Sequence, residues 1–406
     1  MSALAAPVDL DDIQAAHKLL LGVSRVTPLE GCRSLSARVG GPVQFKCENL
    51  QRSGSFKIRG GYVRIARLSE QERSRGVVAA SAGNHAQGVA LGARLLGAQA
   101  TVFMPVGAPL PKVMATKGYG AEVHFVGHTV DEALVAAQEY ADETGAVFIH
   151  PFDHPDVVAG QGTVGVEILQ QCPEVNTVVV PSGGGGLLSG IAVAVKSERP
   201  DVRVVGVQAE GAAALPGSLA AGRPVALDSL QTMADGIAVG RPGEVPFAVV
   251  ADLVDDIVTV SEESLSQSLL LCLERAKLVV EPAGAAGVAA ILDAPQAFEP
   301  PVVVVLSGGN IDPLLLLRVL RHGLASAGRY LSLRLRIPDR PGALATLLGE
   351  LAELDANVLD VEHLRTNPRL HINEVEVALQ LETRGPDHCD ELMSRMRAAG
   401  YPFVFA

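Results

Sequence analysis

Seven short apolar runs recur along the first three-quarters of the chain: "GVVAAS" at 76–81, "ATVFMP" at 100–105, "AEVHFV" at 121–126, "AVFIHP" at 146–151, "TVVVPSG" at 177–183, "RVVGVQ" at 203–208 and "PVVVVLSGG" at 301–309. Most are continuous rather than alternating, and Ala- and Leu-rich helical stretches separate them. Strands buried on both faces and joined by helices predict an α/β body built on open parallel sheets. Glycine follows several of these strands directly, in "SAGNHAQG", "PSGGGGLLSG" and "SGGN". In such sheets ligands sit at the carboxyl ends of strands.

The pattern changes near residue 325. "GLASAGR" reads as a small-residue linker, and the following "LSLRLRI" alternates, with Leu331, Leu333, Leu335 and Ile337 on one face and Ser332, Arg334 and Arg336 on the other. A helix ("GALATLLGELAEL"), two strands ("NVLDVEHLR" and "INEVEVALQLE"), a helix ("CDELMSRMRAA") and a last strand ("YPFVFA") complete a βαββαβ order, the ferredoxin-like arrangement. Its first and third strands are neighbours, so Arg334 and Arg336 are expected to face Glu374 and Glu376. The expected division is 1–325, with a small lobe at about 51–150 inserted in a large lobe, and 326–406.

Composition narrows the function. With 406 residues, 48% of them hydrophobic, the chain can fill two or three cores. Its 33 basic and 45 acidic residues give a net charge of −12 with no Lys/Arg run, which argues against nucleic-acid and anionic-membrane partners and leaves small-molecule chemistry. Cys32, Cys47, Cys172, Cys272 and Cys389 are scattered without a C-x-x-C pair, as free thiols in a reducing compartment would be, and the cytoplasm is expected. The N-terminal stretch "MSALAAPVDLDDIQAAHKLL" lacks a basic region followed by an apolar one, so no signal peptide is expected. Apolar runs such as "VVVVL" at 302–306 are strand-length, so no membrane span is expected either.

"SGSFKIRGG" at 53–61 sets Lys57 between Phe56 and Ile58 with glycines on both sides. A lysine desolvated in this way loses its proton more easily and can hold an aldehyde cofactor as a Schiff base; the alternative is a surface lysine at a helix start capped by Ser53 or Ser55. Gly183, Gly184, Gly185 and Gly186 run from a strand into a helix, where backbone N–H groups can converge on a phosphate. Neither a P-loop nor a G-x-G-x-x-G fingerprint is present, since no Lys-Ser/Thr pair follows and Leu188 takes the third glycine position. Asn84 is either a helix cap or the partner of a phenolic oxygen. Ser307 either closes an ST-turn or hydrogen-bonds a ring nitrogen. His124 with His128 and His150 with His154 have helical metal-ligand spacing, but Pro151 and Pro155 interrupt the second pair and His124 lies in a strand pattern, so no metal site is expected.

An amine, a phosphate cup, an amide and a hydroxyl together outline pyridoxal 5′-phosphate. The motifs "SGSFKIRGG", "ASAGNHAQGVA", "HPFDHPDVVAGQGTVGVEI", "PSGGGGLLSGI", "VVGVQAE", "MADGIAV", "EPAGAAG" and "LSGGNID" also closely resemble the threonine dehydratase (threonine ammonia-lyase) family, over about residues 10–322, while the tail resembles an ACT domain. That resemblance implies pyridoxal-phosphate fold type II, with two-lobed open parallel sheets, followed by a ferredoxin-like ACT domain. It implies Lys57 as the Schiff-base lysine, Phe56 as a wall beside the ring, Asn84 at the ring oxygen, Gly183–Gly186 as the phosphate cup and Ser307 at the ring nitrogen. Ser81, Gly83 and His85 would surround the substrate carboxylate, and Glu281 would lie near the cofactor edge.

The implied reaction is β-elimination of L-threonine to 2-oxobutyrate and ammonia, with serine dehydratase, serine racemase or a non-catalytic amino-acid sensor as alternatives. Racemising relatives are expected to carry a serine where this chain has Ala82. Cation-binding relatives pair a glutamate with an aspartate six residues later; here Glu210 is followed by Pro216, so a monovalent cation on backbone carbonyls is expected rather than Mg²⁺. In the tail, Gly342 of "DRPGAL" and Asn357 are expected to bind a regulatory branched-chain amino acid, as in isoleucine biosynthesis, with the chain a homo-oligomer, dimer or tetramer.

Overall fold

All seven apolar runs form parallel strands in the computed structural model, which describes residues 7–365 and 370–405. Part of the N-terminal stretch read above therefore lies outside the described residues. Four strands make one sheet in the order Glu122–Phe125, Ala100–Met104, Val77–Ala80, Val147–Phe148. The other three join a six-stranded sheet in the order Leu29–Gly31, Val43–Lys46, Val302–Val305, Thr177–Pro181, Arg203–Ala209, Asp256–Val260, whose first strand alone is antiparallel. Both sheets belong to the first of two compact units, 1–315, and the second comprises 316–406. The presumed linker is helical through Ser326, as the end of the Pro313–Ser326 helix.

Helices of the first unit approach one another through missing side chains. A Cβ on Gly160 would stand 2.6 Å from Gly60 Cα, and one on Gly190 would stand 2.4 Å from the Val158 carbonyl oxygen. The Lys57–Ala66, Pro155–Gln171 and Gly186–Glu198 helices thus touch backbone to backbone, fixing the lysine helix relative to the glycine cup. Beneath the cup helix, Val178, Val180, Leu188, Ile191, Val303 and Val305 pack as one apolar cluster.

This unit also buries four charges. Arg59 donates to both oxygens of Glu48, at 2.8 Å each, and to Glu167 at 2.7 and 2.9 Å; Lys46 donates to Glu167 at 2.6 Å. All four side chains are at most 1% exposed. Burial disfavours the charge on Lys46 and pulls its pKa down, whereas on Arg59 the two carboxylates outweigh burial and raise it.

The second unit has the anticipated βαββαβ order and a four-stranded antiparallel sheet in the order Asn357–Leu364, Glu374–Glu382, Tyr330–Pro338, Phe403–Phe405. Leu331, Leu333, Leu335 and Ile337 are all buried, as their alternation requires. Arg336 stands opposite Glu376, while Glu374 faces Pro338 instead of an arginine; Arg334 reaches Glu376 diagonally at 3.7 Å.

Candidate active site

Two loops at strand carboxyl ends are laced together around Lys57. Phe56 N–H donates to the Ser307 carbonyl at 3.2 Å, Gly309 N–H donates to the Gly54 carbonyl at 2.9 Å, and Ser55 bridges Gly308. Lys57 opens the Lys57–Ala66 helix and Phe56 holds the capping position without a side-chain cap bond, so neither Ser53 nor Ser55 caps the lysine helix. The Lys57 ammonium donates to the Pro151 carbonyl at 2.9 Å and stands 5.1 Å from the centre of the Phe56 ring. Burial lowers its pKa to about 8, against the opposing pull of Glu281.

The residue after Pro151 closes on the cup. Cβ atoms on Gly184 and Gly186 would stand 2.5 Å from the Phe152 ring and 2.9 Å from Phe152 Cβ, and Gly185 has a φ of +97° at the cap of the Gly186–Glu198 helix. One short segment therefore touches both the amine and the cup. Gly183 is hemmed by Ile237, 3.0 Å from its would-be Cβ.

Asn84 is the first residue of the Asn84–Leu95 helix, which Gly83 caps, so its amide is free for other work. Its Nδ2 donates to Glu281 at 2.5 Å, and its Oδ1 accepts from Asn310 at 2.8 Å. Asn310 also donates to the Ser53 carbonyl at 2.7 Å, joining the lysine loop to the asparagine helix. Glu281 is 2% exposed, and burial, reinforced by Asp235, raises its pKa to about 7 despite Lys112, Asn84 and Lys57. Ser307 is buried just past the Val302–Val305 strand.

Of the loop residues expected at the substrate carboxylate, Ser81 Oγ accepts from Gly83 N–H at 3.1 Å. His85 turns inward. Its Nε2 donates to the Ile149 carbonyl at 2.7 Å, and burial lowers its pKa to about 3, with the Lys57 charge adding to the effect. The ring is thus neutral and Nε2 is committed to the backbone, leaving the backbone N–H as what residue 85 can offer an anion. His124 stacks on Phe103, with ring centres 5.1 Å apart, and His154 caps the Pro155–Gln171 helix. In the second unit, Gly342 and Asn357 are not brought together. Asn357 pairs with Glu382 at the end of the sheet where Tyr330 begins, whereas Gly342 follows Pro338 at the other end.

The site suits a phosphate-bearing ligand on the evidence of its own hydroxyls. Ser55 Oγ and Ser182 Oγ, beside the lysine and beside the cup, are buried without a hydrogen-bond partner among the described residues. Sequence reasoning left Asn310 and Pro151 without roles and passed over Lys112 and Asp235, which form an ion pair. Asn310, Pro151 and Asp235 lie within the motifs "LSGGNID", "HPFDHPDVVAGQGTVGVEI" and "MADGIAV", whereas Lys112 lies in none of them.

Residues 20–308 match the family of Pyridoxal-phosphate dependent enzymes. An L-threonine ammonia-lyase from Thermotoga maritima is 48% identical over 394 residues, covering 97% of this chain and 98% of its own. Among solved structures, a threonine deaminase from T.th. superposes with a TM-score of 0.72 at 41% identity, covering 75% of this chain and 99% of its own. Maize serine racemase superposes with a TM-score of 0.74 at 36% identity, covering 79% and 99%.

Proposed function

The chain belongs to the pyridoxal-phosphate dependent enzymes and, within them, to the L-threonine ammonia-lyase family, and on that premise we propose that it converts L-threonine to 2-oxobutyrate and ammonia. The observation that carries this reading is Lys57, an amine with its pKa drawn down to about 8 and wedged between the Phe56 ring and the Pro151 carbonyl. Pyridoxal phosphate, when bound, supplies an aldehyde for the amines and an electron sink for the charge left at Cα.

The chain's residues do the rest. Gly183–Gly186 and the start of the Gly186–Glu198 helix would hold the phosphate, Ser307 would accompany the ring nitrogen without giving it a full proton, and Asn84 would meet the ring oxygen. Backbone N–H groups of the 81–85 loop receive the substrate carboxylate. Lys57, once displaced by substrate, remains tethered close by and takes the Cα proton, a task suited to an amine that titrates near neutrality. In net terms the substrate loses its Cα proton and β-hydroxyl as one water and takes up one water as ammonia and the oxo acid are released.

Maize serine racemase makes racemisation the rival within the fold. A racemase needs a second acid–base group on the face opposite the lysine, and Ala82 offers none at the position where a serine would supply it. A non-catalytic sensor is disfavoured because Lys57, the cup and Ser307 are all retained. A monovalent cation on backbone carbonyls would support the site, and the five buried free thiols fit a cytoplasmic enzyme.

For the second unit we propose an ACT role: binding isoleucine or valine, as befits an enzyme of isoleucine biosynthesis. A cavity of about 310 Å³ lies around "DRPGAL" and is also lined by His363 and Arg365. Gly342, with a φ of +86°, caps the Ala343–Glu353 helix there, and Arg365 pairs with Asp339 at 3.1 Å. The Asn357–Leu364 strand is an open sheet edge, and pairing it with a second copy would cover it, making a homodimer or tetramer. Assaying oxo-acid release from L-threonine and L-serine, with and without millimolar isoleucine, valine and leucine, tests both parts. Indifference to all three amino acids would remove the regulatory reading and leave the catalytic one.

A further inference from the structure

We propose that Lys112 reads the carboxylate of the substrate, an inference that rests on the assignment of the 81–85 loop to that carboxylate. Lys112 projects from the Leu110–Gly118 helix, and only 8% of the residue is exposed. Its ammonium stands 3.8 Å from the point where a Cβ would sit on Gly83, against the loop in question. Its partner is Asp235, whose side chain is 54% exposed and belongs to the short turn Asp235–Ile237 that also hems Gly183. Gly236 of that turn packs toward Glu281, with 3.5 Å between its would-be Cβ and Oε1. Lys112, Asp235, Glu281 and Asn84 therefore form one continuous polar edge of the site.

The asymmetry of the Lys112–Asp235 pair gives it a use. A nearly buried ammonium needs an anion, while a half-exposed carboxylate is easily rehydrated when it loses its cation. A substrate carboxylate arriving at Gly83 can take over Lys112 and release Asp235 to water, so the buried cation stays compensated throughout. Neutral ligands of the same shape cannot make this exchange. Lys112 would thus select free amino acids over amides or peptides.

The test compares affinities of the reconstituted enzyme for L-threonine and L-threoninamide, read from the change in the bound cofactor's visible absorption. Lys112→Met is expected to weaken L-threonine binding by roughly 10- to 100-fold and that of the amide by no more than about threefold. Lys112→Arg should recover most of the loss, and Asp235→Asn, which removes the partner that the substrate is to displace but keeps Lys112, should keep the preference for threonine over its amide. Equal weakening of both ligands by Lys112→Met, or loss of the preference in Asp235→Asn, would make the pair a structural tie between segments and overturn the proposal. Wild-type turnover of L-threonine tests the function separately, so failure of either reading is recognisable.

Discussion

Among the described residues, both units carry exposed ion pairs, but a cluster of charges buried on every side is found in the first alone. In the first, Lys46, Glu48, Arg59 and Glu167 are withdrawn from water and answer one another with short hydrogen bonds, Arg59 standing two residues along the helix from Lys57. In the second, Arg365 with Asp339 and Arg384 with Asp355 stand largely in solvent. A buried cluster cannot exchange partners without stranding a charge, so it acts as a fixed bolt between the Lys57–Ala66 and Pro155–Gln171 helices. Exposed pairs gain little from any one partner and can trade it for a ligand. The first arrangement suits the proposed catalysis, and the second the proposed ligand response.

The largest expected effect comes from Lys57→Ala. On the proposed roles of Lys57, its loss removes both the amine that holds the cofactor and the base at Cα and should cut kcat by at least roughly 10²–10⁴-fold, with urea unfolding unchanged. Next is Arg59→Met, which strands Glu48 and Glu167 and should destabilise the first unit by about 3–5 kcal/mol in urea titration. Arg365→Met should leave the unfolding midpoint in place yet blunt the response to isoleucine. Similar midpoint shifts for Arg59→Met and Arg365→Met would break the contrast between the units.

A subtler test uses pH. The Lys57 amine must be neutral to capture pyridoxal phosphate, and its pKa lies near 8 rather than at the ordinary 10.5, so the capture rate of the apo-protein should rise with pH and level off above about 8. A rate still climbing at pH 10 would mean that Lys57 is solvated like any surface lysine.

Much of this was legible because strand and helix periods are local. Seven strands could be read from short apolar runs, but Val43–Lys46 could not, since its "VQFK" has too few apolar residues for a run and is too short for its alternation to stand out. Lys46 can be buried in that strand only because Glu167 meets it from 121 positions away. Asp256–Val260 is a half-exposed edge strand whose apolar Ile257, Val258 and Val260 are interrupted by Thr259. Leu29–Gly31 is three residues long and too brief to have a period. Lys57, Asn84, Gly183–Gly186 and Ser307 could be singled out because glycines stand beside them, while the roles proposed for them come from the resemblance to the threonine dehydratase family. His85 was legible as part of its loop, but the inward turn of its ring depends on the Ile149 carbonyl, 64 positions away. Asn357 was expected across from Gly342. The Ala343–Glu353 helix instead carries the chain back along the sheet, so the strand that follows begins at the far end.

The central claim is that the Lys57 site eliminates water and ammonia from L-threonine. The most direct measurement is proton NMR of L-threonine incubated with the reconstituted enzyme in D₂O, alongside the ammonia released. One equivalent each of 2-oxobutyrate and ammonia per threonine consumed, with the remaining threonine still of the L configuration, is the predicted result. Unchanged threonine, or its epimer at Cα accumulating without oxo acid, would contradict it.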